Sequence, residues 1–260
     1  MEDLRLTLIQ SALQWEDPAA NRRHFARRIA ALVGQTDLIL LPEMFTTGFT
    51  MEAQRLAESM DGPTLHWLRE QAAGSGAVVT GSLIVGTEAG YYNRLIWMQP
   101  DGHYVYYDKR HLFTLAGEQR HYRPGRRRVI VEWKGWKVLP LICYDLRFPV
   151  WSRNSDDYDL LLYVANWPER RAHAWRSLLA ARAIENQVYT AGLNRVGKDG
   201  NDIYYSGDSM LVDYAGATRY QIAHAEDVFT IRLSREAQQA FRRRLAFLPD
   251  QDAFQLTGIE

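Results

Sequence analysis

The chain contains one cysteine, Cys143, within the run Leu139-Pro140-Leu141-Ile142-Cys143-Tyr144-Asp145-Leu146-Arg147-Phe148-Pro149. A lone thiol forms no internal disulfide and makes a poor metal site by itself, which leaves core filler or a nucleophile. An apolar strand over 138–142 cannot continue through Tyr-Asp-Leu-Arg-Phe-Pro. The thiol therefore lies where a buried strand leaves the core, the place where open α/β folds put chemistry. Two other strand-like runs end in charge: 38–41 gives way to Pro42-Glu43, and 104–107 to Asp108-Lys109. Near neutral pH an ordinary cysteine is mostly protonated, so an efficient thiol nucleophile needs a base or a nearby cation. A carboxylate and an ammonium supply one each. Taken singly, either charge is also what the first solvated residue after a strand looks like.

The elements that would position these groups follow from periodicity. Residues 4–10 alternate apolar and polar as a strand, 21–33 place Phe25, Ile29, Leu32 and Val33 on one helical face, and 37–41 form a short buried strand. A second helix over 63–73 precedes a strand over 77–84, and 95–98 pairs with 104–107 as a hairpin around Pro100-Asp101-Gly102. Beyond Cys143, a buried strand over 160–165, a helix over 171–186 with Trp175, Leu178 and Leu179 inward, and strands over 188–193, 209–213 and 228–233 lead to an arginine-rich helix. Alternating strands and helices without linker, repeat or composition break predict one α/β domain of mixed sheets flanked by helices.

Composition narrows the function. Of 260 residues, 47% are hydrophobic and 24% charged, with 31 basic and 31 acidic side chains, so no charge excess argues for nucleic acid or an anionic membrane. The clusters 126–128 and 242–244, each three arginines, read as solvated faces. The start, Met-Glu-Asp-Leu, lacks the basic and apolar regions of a signal peptide, no run is long and apolar enough to span a bilayer, and the single thiol fits a reducing compartment. A cytoplasmic location is the expectation. His103, His111, His121, His173 and the other histidines show no zinc spacing, so neither metal nor cofactor is expected.

Glu43 within Leu-Pro-Glu-Met-Phe, Lys109 within Tyr-Asp-Lys-Arg-His-Leu-Phe, and Cys143 within Ile-Cys-Tyr-Asp-Leu-Arg-Phe-Pro together resemble the nitrilase, or carbon-nitrogen hydrolase, superfamily. Gly117-Glu118, Tyr122, Pro124-Gly125 and the segment 181–187, Ala-Arg-Ala-Ile-Glu-Asn-Gln, extend the likeness along nearly the whole chain, and within the superfamily it is most similar to bacterial omega-amidases. The resemblance implies a four-layer α-β-β-α sandwich spanning 1–260 as a single domain. It also implies a homodimer, with the helix through 175–186 and a tail from about residue 235 at its interface. It implies Glu43 as general base and acid, Cys143 as nucleophile, Lys109 with the Tyr144 backbone N–H as oxyanion donors, and Glu118 as a second glutamate that orients the lysine or the substrate.

The substrates it implies are small amides, the terminal amides of 2-oxo acids such as 2-oxoglutaramate and 2-oxosuccinamate. Arg147 would grip their remote carboxylate or else pair with Asp145 or a neighbouring acid. Asn166 and Trp167 form an expected pocket wall, and Phe45 and Phe113 could shape the acyl site or pack in the core. His111 is expected to brace the loop after Lys109. N-carbamoyl amino acid hydrolysis with the same trio is the competing chemistry, ahead of nitrile hydrolysis. A non-catalytic binding protein on the same fold and a redox sensor built on Cys143 are the competing classes.

Overall fold

Leucines at alternate positions of the first strand face one way and its remaining side chains the other, and both faces are covered. The computed structural model describes residues 2–258. β1 (Leu4–Gln10) lies between β13 (Asp227–Leu233), antiparallel to it, and β2 (Leu38–Leu40), parallel to it. β3 (Val78–Thr87) follows in parallel, and β4 (Gly90–Met98) and β5 (Tyr104–Asp108) complete a six-stranded sheet as antiparallel neighbours. The second sheet has a parallel centre of β7 (Trp136–Ile142), β8 (Leu160–Ala165) and β9 (Tyr189–Asn194). Antiparallel β6 (Val131–Trp133) closes one side, and β11 (Tyr204–Val212) with β10 (Val196–Lys198) and β12 (Thr218–Ala223) the other.

The two sheets pack face to face. Leu4, Leu6, Leu8, Leu38 and Leu40 of the first meet Val138, Leu160, Leu162 and Leu193 of the second. On the outer side of the first sheet, α1 (Pro18–Ala30) and α3 (Pro63–Ser75), separated in the chain by the short α2 (Ala53–Leu56), bury Phe25, Ile29, Leu65 and Leu68 against Ile39, Val79 and Ile96. On the outer side of the second, α5 (Ala172–Asn186), which follows the short α4 (Pro149–Ser152) in the chain, buries Trp175, Leu179 and Ala183 against Leu139, Leu161 and Met210. Helix, sheet, sheet, helix is the four-layer arrangement that the sequence implied. Strands covered on both faces explain why 38–41, 138–142 and 160–165 read as unbroken apolar runs.

Two expectations fail locally. α1 begins at Pro18 because the Asp17 side chain caps it, accepting from Ala20 N at 2.9 Å, with proline in the first turn. Its end at Ala30 leaves Val33 on a turn, 56% exposed rather than inward. Nor are the arginine clusters uniformly solvated. Arg128 donates to Arg153 O at 2.7 Å and pairs with Asp156 at 2.6 Å. Arg242, on α6 (Arg235–Arg244), is buried: it donates to Tyr158 O at 2.6 Å and Gln187 O at 2.9 Å and reaches Asp157 and Asp159. A run of like charges does not reveal which member the tertiary fold turns inward.

Arg242 thereby docks the tail helix onto the chain just before the starts of β8 and β9. Arg242→Ala leaves two carbonyls and the buried Asp159 short of a partner and is expected to cost about 3 kcal/mol of stability, read as a lower urea midpoint. A midpoint within error of wild type would mean that α6 is not held this way.

Candidate active site

The chain leaves β7 at Cys143, whose φ of 44° puts a side-chain-bearing residue in the left-handed region, and turns at once into a short 3-10 segment, Cys143–Arg147. Such a conformation persists only where its surroundings fix it. Asp145 does much of the fixing. Buried, it accepts from Ile142 N at 3.1 Å and Tyr107 OH at 2.7 Å through Oδ2, while Oδ1 takes His111 N at 2.9 Å and lies 2.8 Å from His111 Nδ1. His111 stacks on Phe148 with ring centroids 3.9 Å apart. Arg182 of α5 donates to Leu146 O at 2.7 Å. The turn of the cysteine is thus tied to the loop beyond Lys109, in the bracing role expected of His111, and Asp145 is spent on this network rather than on Arg147.

Glu43 and Lys109 come from the first sheet, beyond the ends of β2 and β5. Both are buried. Lys109 Nζ donates to Glu43 Oε1 at 2.9 Å and to both oxygens of Glu118 at 3.0 Å. Asn93 Nδ2 also donates to Glu43 Oε1, at 2.8 Å, and Asn166 N, from the second sheet, donates to Oε2 at 2.8 Å. Asn166 Nδ2 donates to Glu43 O at 2.6 Å, and the backbone carbonyl oxygen of Asn166 lies 3.9 Å from Cys143 Sγ, which donates to it. Glu118 additionally accepts from Phe113 N at 2.5 Å; it holds the lysine and does not line the cavity. Lys109 is anchored through its backbone as well. Gly125 N donates to Lys109 O at 2.8 Å, and a Cβ on Gly125 would fall 2.1 Å from Asp108 O, so only glycine fits there. Asp108 itself is gripped by both arms of Arg94, at 2.7 and 2.8 Å.

Electrostatics follow from this packing. Burial pulls the Lys109 pKa down, but the carboxylates of Glu118 and Glu43 outweigh it and the ammonium is stabilised. Glu118 is pushed above the usual carboxyl range, chiefly by burial, with Lys109 opposing and Glu43 adding. The Cys143 thiol is raised well above its ordinary value, first by burial and next by the Glu43 charge, with Lys109 only partly offsetting. Cys143 is therefore held at rest as a neutral thiol beside the Glu43 carboxylate rather than as a preformed thiolate.

A cavity of about 230 Å³ opens over Cys143 and Lys109. Phe49, Phe113, Ile203 and Tyr205 wall it, Tyr144, Asn166 and Trp167 contribute to its lining, and Arg147, Arg170 and Arg171 stand on its rim. Phe45 is absent from it. The left-handed φ of 43° at Met44 turns the chain back, and Phe45 packs into the helix-side core against Phe25 and Trp67. Sequence reasoning missed Asn93, Phe49, Tyr205 and Arg171. Asn93, a poor strand former inside a strand, was the one that carried a signal. Among the described residues no group of three or more His, Cys, Asp or Glu is disposed to hold a metal ion, and no helix is long and apolar enough to cross a membrane.

A sandwich whose two sheets bring a lysine and a cysteine to one cavity floor, with a buried glutamate bonded to the lysine behind it, is the arrangement of a carbon-nitrogen hydrolase, and the chain belongs to that family, its family model matching residues 5–243. The chain is 49% identical to the omega-amidase YafV of Yersinia enterocolitica, over 98% of this chain and all of that one, and 29% identical to the 2-oxoglutaramate amidase of Bacillus subtilis, over 94% and 96%. Among solved structures, a carbon-nitrogen hydrolase superfamily protein from Xanthomonas campestris with an arsenic adduct in its active site superposes with a TM-score of 0.97, at 49% identity, over 98% of this chain and 100% of that one.

A neutral resting thiol has a spectroscopic consequence. The thiolate ultraviolet absorbance, taken as wild type minus Cys143→Ala, is expected to be absent at neutral pH and to emerge only well above the range of an ordinary cysteine. A thiolate signal at pH 6 would mean that Lys109, not Glu43, dominates the field at the sulfur.

Proposed function

We propose that the protein is an omega-amidase, hydrolysing the terminal amide of 2-oxo dicarboxylic acid monoamides such as 2-oxoglutaramate and 2-oxosuccinamate to the 2-oxo acid and ammonia. One observation carries this reading: Cys143 and Lys109 lie at the floor of a small cavity whose lining bears three guanidiniums and no carboxylate, and the buried Glu43 and Glu118 hold that lysine from behind the floor. Identity to the Yersinia omega-amidase supports the substrate class.

In this reading Glu43 takes the thiol proton as the sulfur bonds to the amide carbon, and the carbonyl electron pair moves onto oxygen. Lys109 faces that oxygen. Its doubled contact to Glu118 is the one that can release an N–H while the ammonium stays paired. The Tyr144 N–H, in the first turn of a 3-10 segment where N–H groups lack partners within the turn, is the second donor. Glu43 then gives its proton to the departing nitrogen, ammonia leaves, and a thioester remains. Water, deprotonated by Glu43, attacks the thioester carbon, and the sulfur leaves with the proton returned. Every transfer passes through a carboxylate already fixed from three sides, which is preorganisation.

Arg147 makes no ion pair among the described residues; its guanidinium lies over the Trp167 ring, 4.9 Å from the centroid, consistent with contact to a substrate carboxylate rather than to Asp145. A homodimer and a cytoplasmic setting belong to the same reading. Ile184 of α5 and Phe247 and Phe254 of the tail are exposed apolar side chains on the segments expected at the interface. A catalytic thiol suits a reducing compartment.

Ammonia release from 2-oxoglutaramate, 2-oxosuccinamate and an N-carbamoyl amino acid is the test. Oxo-acid amides are expected to be the preferred substrates, with turnover abolished in folded Cys143→Ala and reduced by about a hundredfold or more in Glu43→Gln. Preference for the carbamoyl compound would replace the substrate class and keep the trio. No Cys143-dependent turnover of any amide would remove the enzymatic reading.

A further inference from the structure

Buried arginines elsewhere in this protein are spoken for: Arg94 grips Asp108, Arg182 reaches Leu146 O and Glu185, Arg195 donates to Val196 O and Lys198 O, and Arg242 reaches two carbonyls and two aspartates. Arg147 and Arg171 differ. Among the described residues neither guanidinium donates a hydrogen bond or meets a carboxylate, although both line the cavity and that of Arg171 is half-buried. Each rests instead on an aromatic face, Arg171 at 5.0 Å from the Phe113 centroid and Arg147 at 4.9 Å from that of Trp167. A guanidinium seated face-down on a ring keeps its edge N–H donors for something else.

The two seats are built into the site. Trp167 Nε1 donates to Arg171 O at 2.9 Å, so the platform of one arginine is fastened to the backbone of the other. Phe113, the platform of Arg171, donates its N–H to the Glu118 carboxylate that holds Lys109. The position of Arg171 is thereby referenced to the catalytic floor through two bonded steps. Burial, with Arg170 and Arg147 nearby, pulls the Arg171 pKa down, as expected of a partly desolvated cation left without a counter-ion.

We propose that Arg171 is a specificity-determining residue: with Arg147 it forms a two-guanidinium clamp for the carboxylate of the substrate and sets the preference for 2-oxo acid amides over amino acid amides. The proposal rests on the omega-amidase reading of the same cavity. A carboxylate matches the planar fork of each guanidinium. The 2-oxo group beside that carboxylate is a hydrogen-bond acceptor, which such a rim tolerates. An α-ammonium in its place, as in glutamine, would enter the field of the arginines with no acid in the lining to receive it.

The test measures kcat and KM for 2-oxoglutaramate, L-glutamine and uncharged pentanamide in wild type, Arg171→Gln and Arg171→Lys, with circular dichroism as the folding control. Arg171→Gln is expected to lower kcat/KM for 2-oxoglutaramate by about thirtyfold, mostly through KM, and to lower that for pentanamide far less. The preference for the oxo acid over glutamine shrinks with it, and Arg171→Lys recovers part of the loss because it keeps the charge without the fork. Equal losses on 2-oxoglutaramate and pentanamide, or an unchanged KM for the oxo acid, overturn the clamp and leave the omega-amidase reading standing. A wild type that hydrolyses pentanamide but not 2-oxoglutaramate overturns that reading itself and the clamp with it.

Discussion

The site depends on an ammonium ion buried between two carboxylates. Lys109 alone, buried as it is, would be driven to lose its proton; Glu43 and Glu118 reverse that. Neither carboxylate is tolerable without the lysine, since desolvating an unpaired ion costs several kcal/mol. The cluster is consequently all or nothing, and its neighbours exist to complete it. Asn93, Asn166 N and Phe113 N occupy the carboxylate oxygens from three directions, and Arg94 and Gly125 hold the backbone from which the lysine extends.

The same demand explains why the site sits where two sheets meet. Glu43 and Lys109 leave the ends of β2 and β5, Cys143 and Asn166 the ends of β7 and β8, and the apolar face between the sheets sets their separation. Two polar straps cross the gap: Asn166 to Glu43, and Tyr107 and His111 to Asp145. The first ends on Glu43 itself, and the second joins residues two positions from Lys109 to one two positions from Cys143. Packing between leucines fixes the distance coarsely, and hydrogen bonds of 2.6 to 2.9 Å fix it finely.

What the sequence made legible follows the same division. Buried strands announce themselves by unbroken apolar runs, so 138–142 and 160–165 and the chemistry-bearing types at their ends could be read directly, and the order of Glu43, Lys109, Glu118 and Cys143 carried the family. Features set by contacts between distant segments could not be read. Phe45 looked like a pocket residue because it follows Glu43, yet a left-handed Met44 sends it the other way. Arg128 and Arg242 looked solvated inside charge runs, yet each is the member that the tertiary fold turns inward. Arg171 sat unnoticed at a helix start because its partner ring, Phe113, lies far away in sequence and meets it only in the folded chain.

The pairing of Glu43 and Glu118 on one lysine bears on how a turnover ends. Hydrolysis of an amide at Cys143 converts a neutral carbonyl group into a new anion, formed beside two fixed anions that share a single counter-ion. Like charges at such short range in a desolvated site repel strongly. The new carboxylate thus meets an ammonium already shared between two others, which weakens the hold on the product at the end that has just reacted.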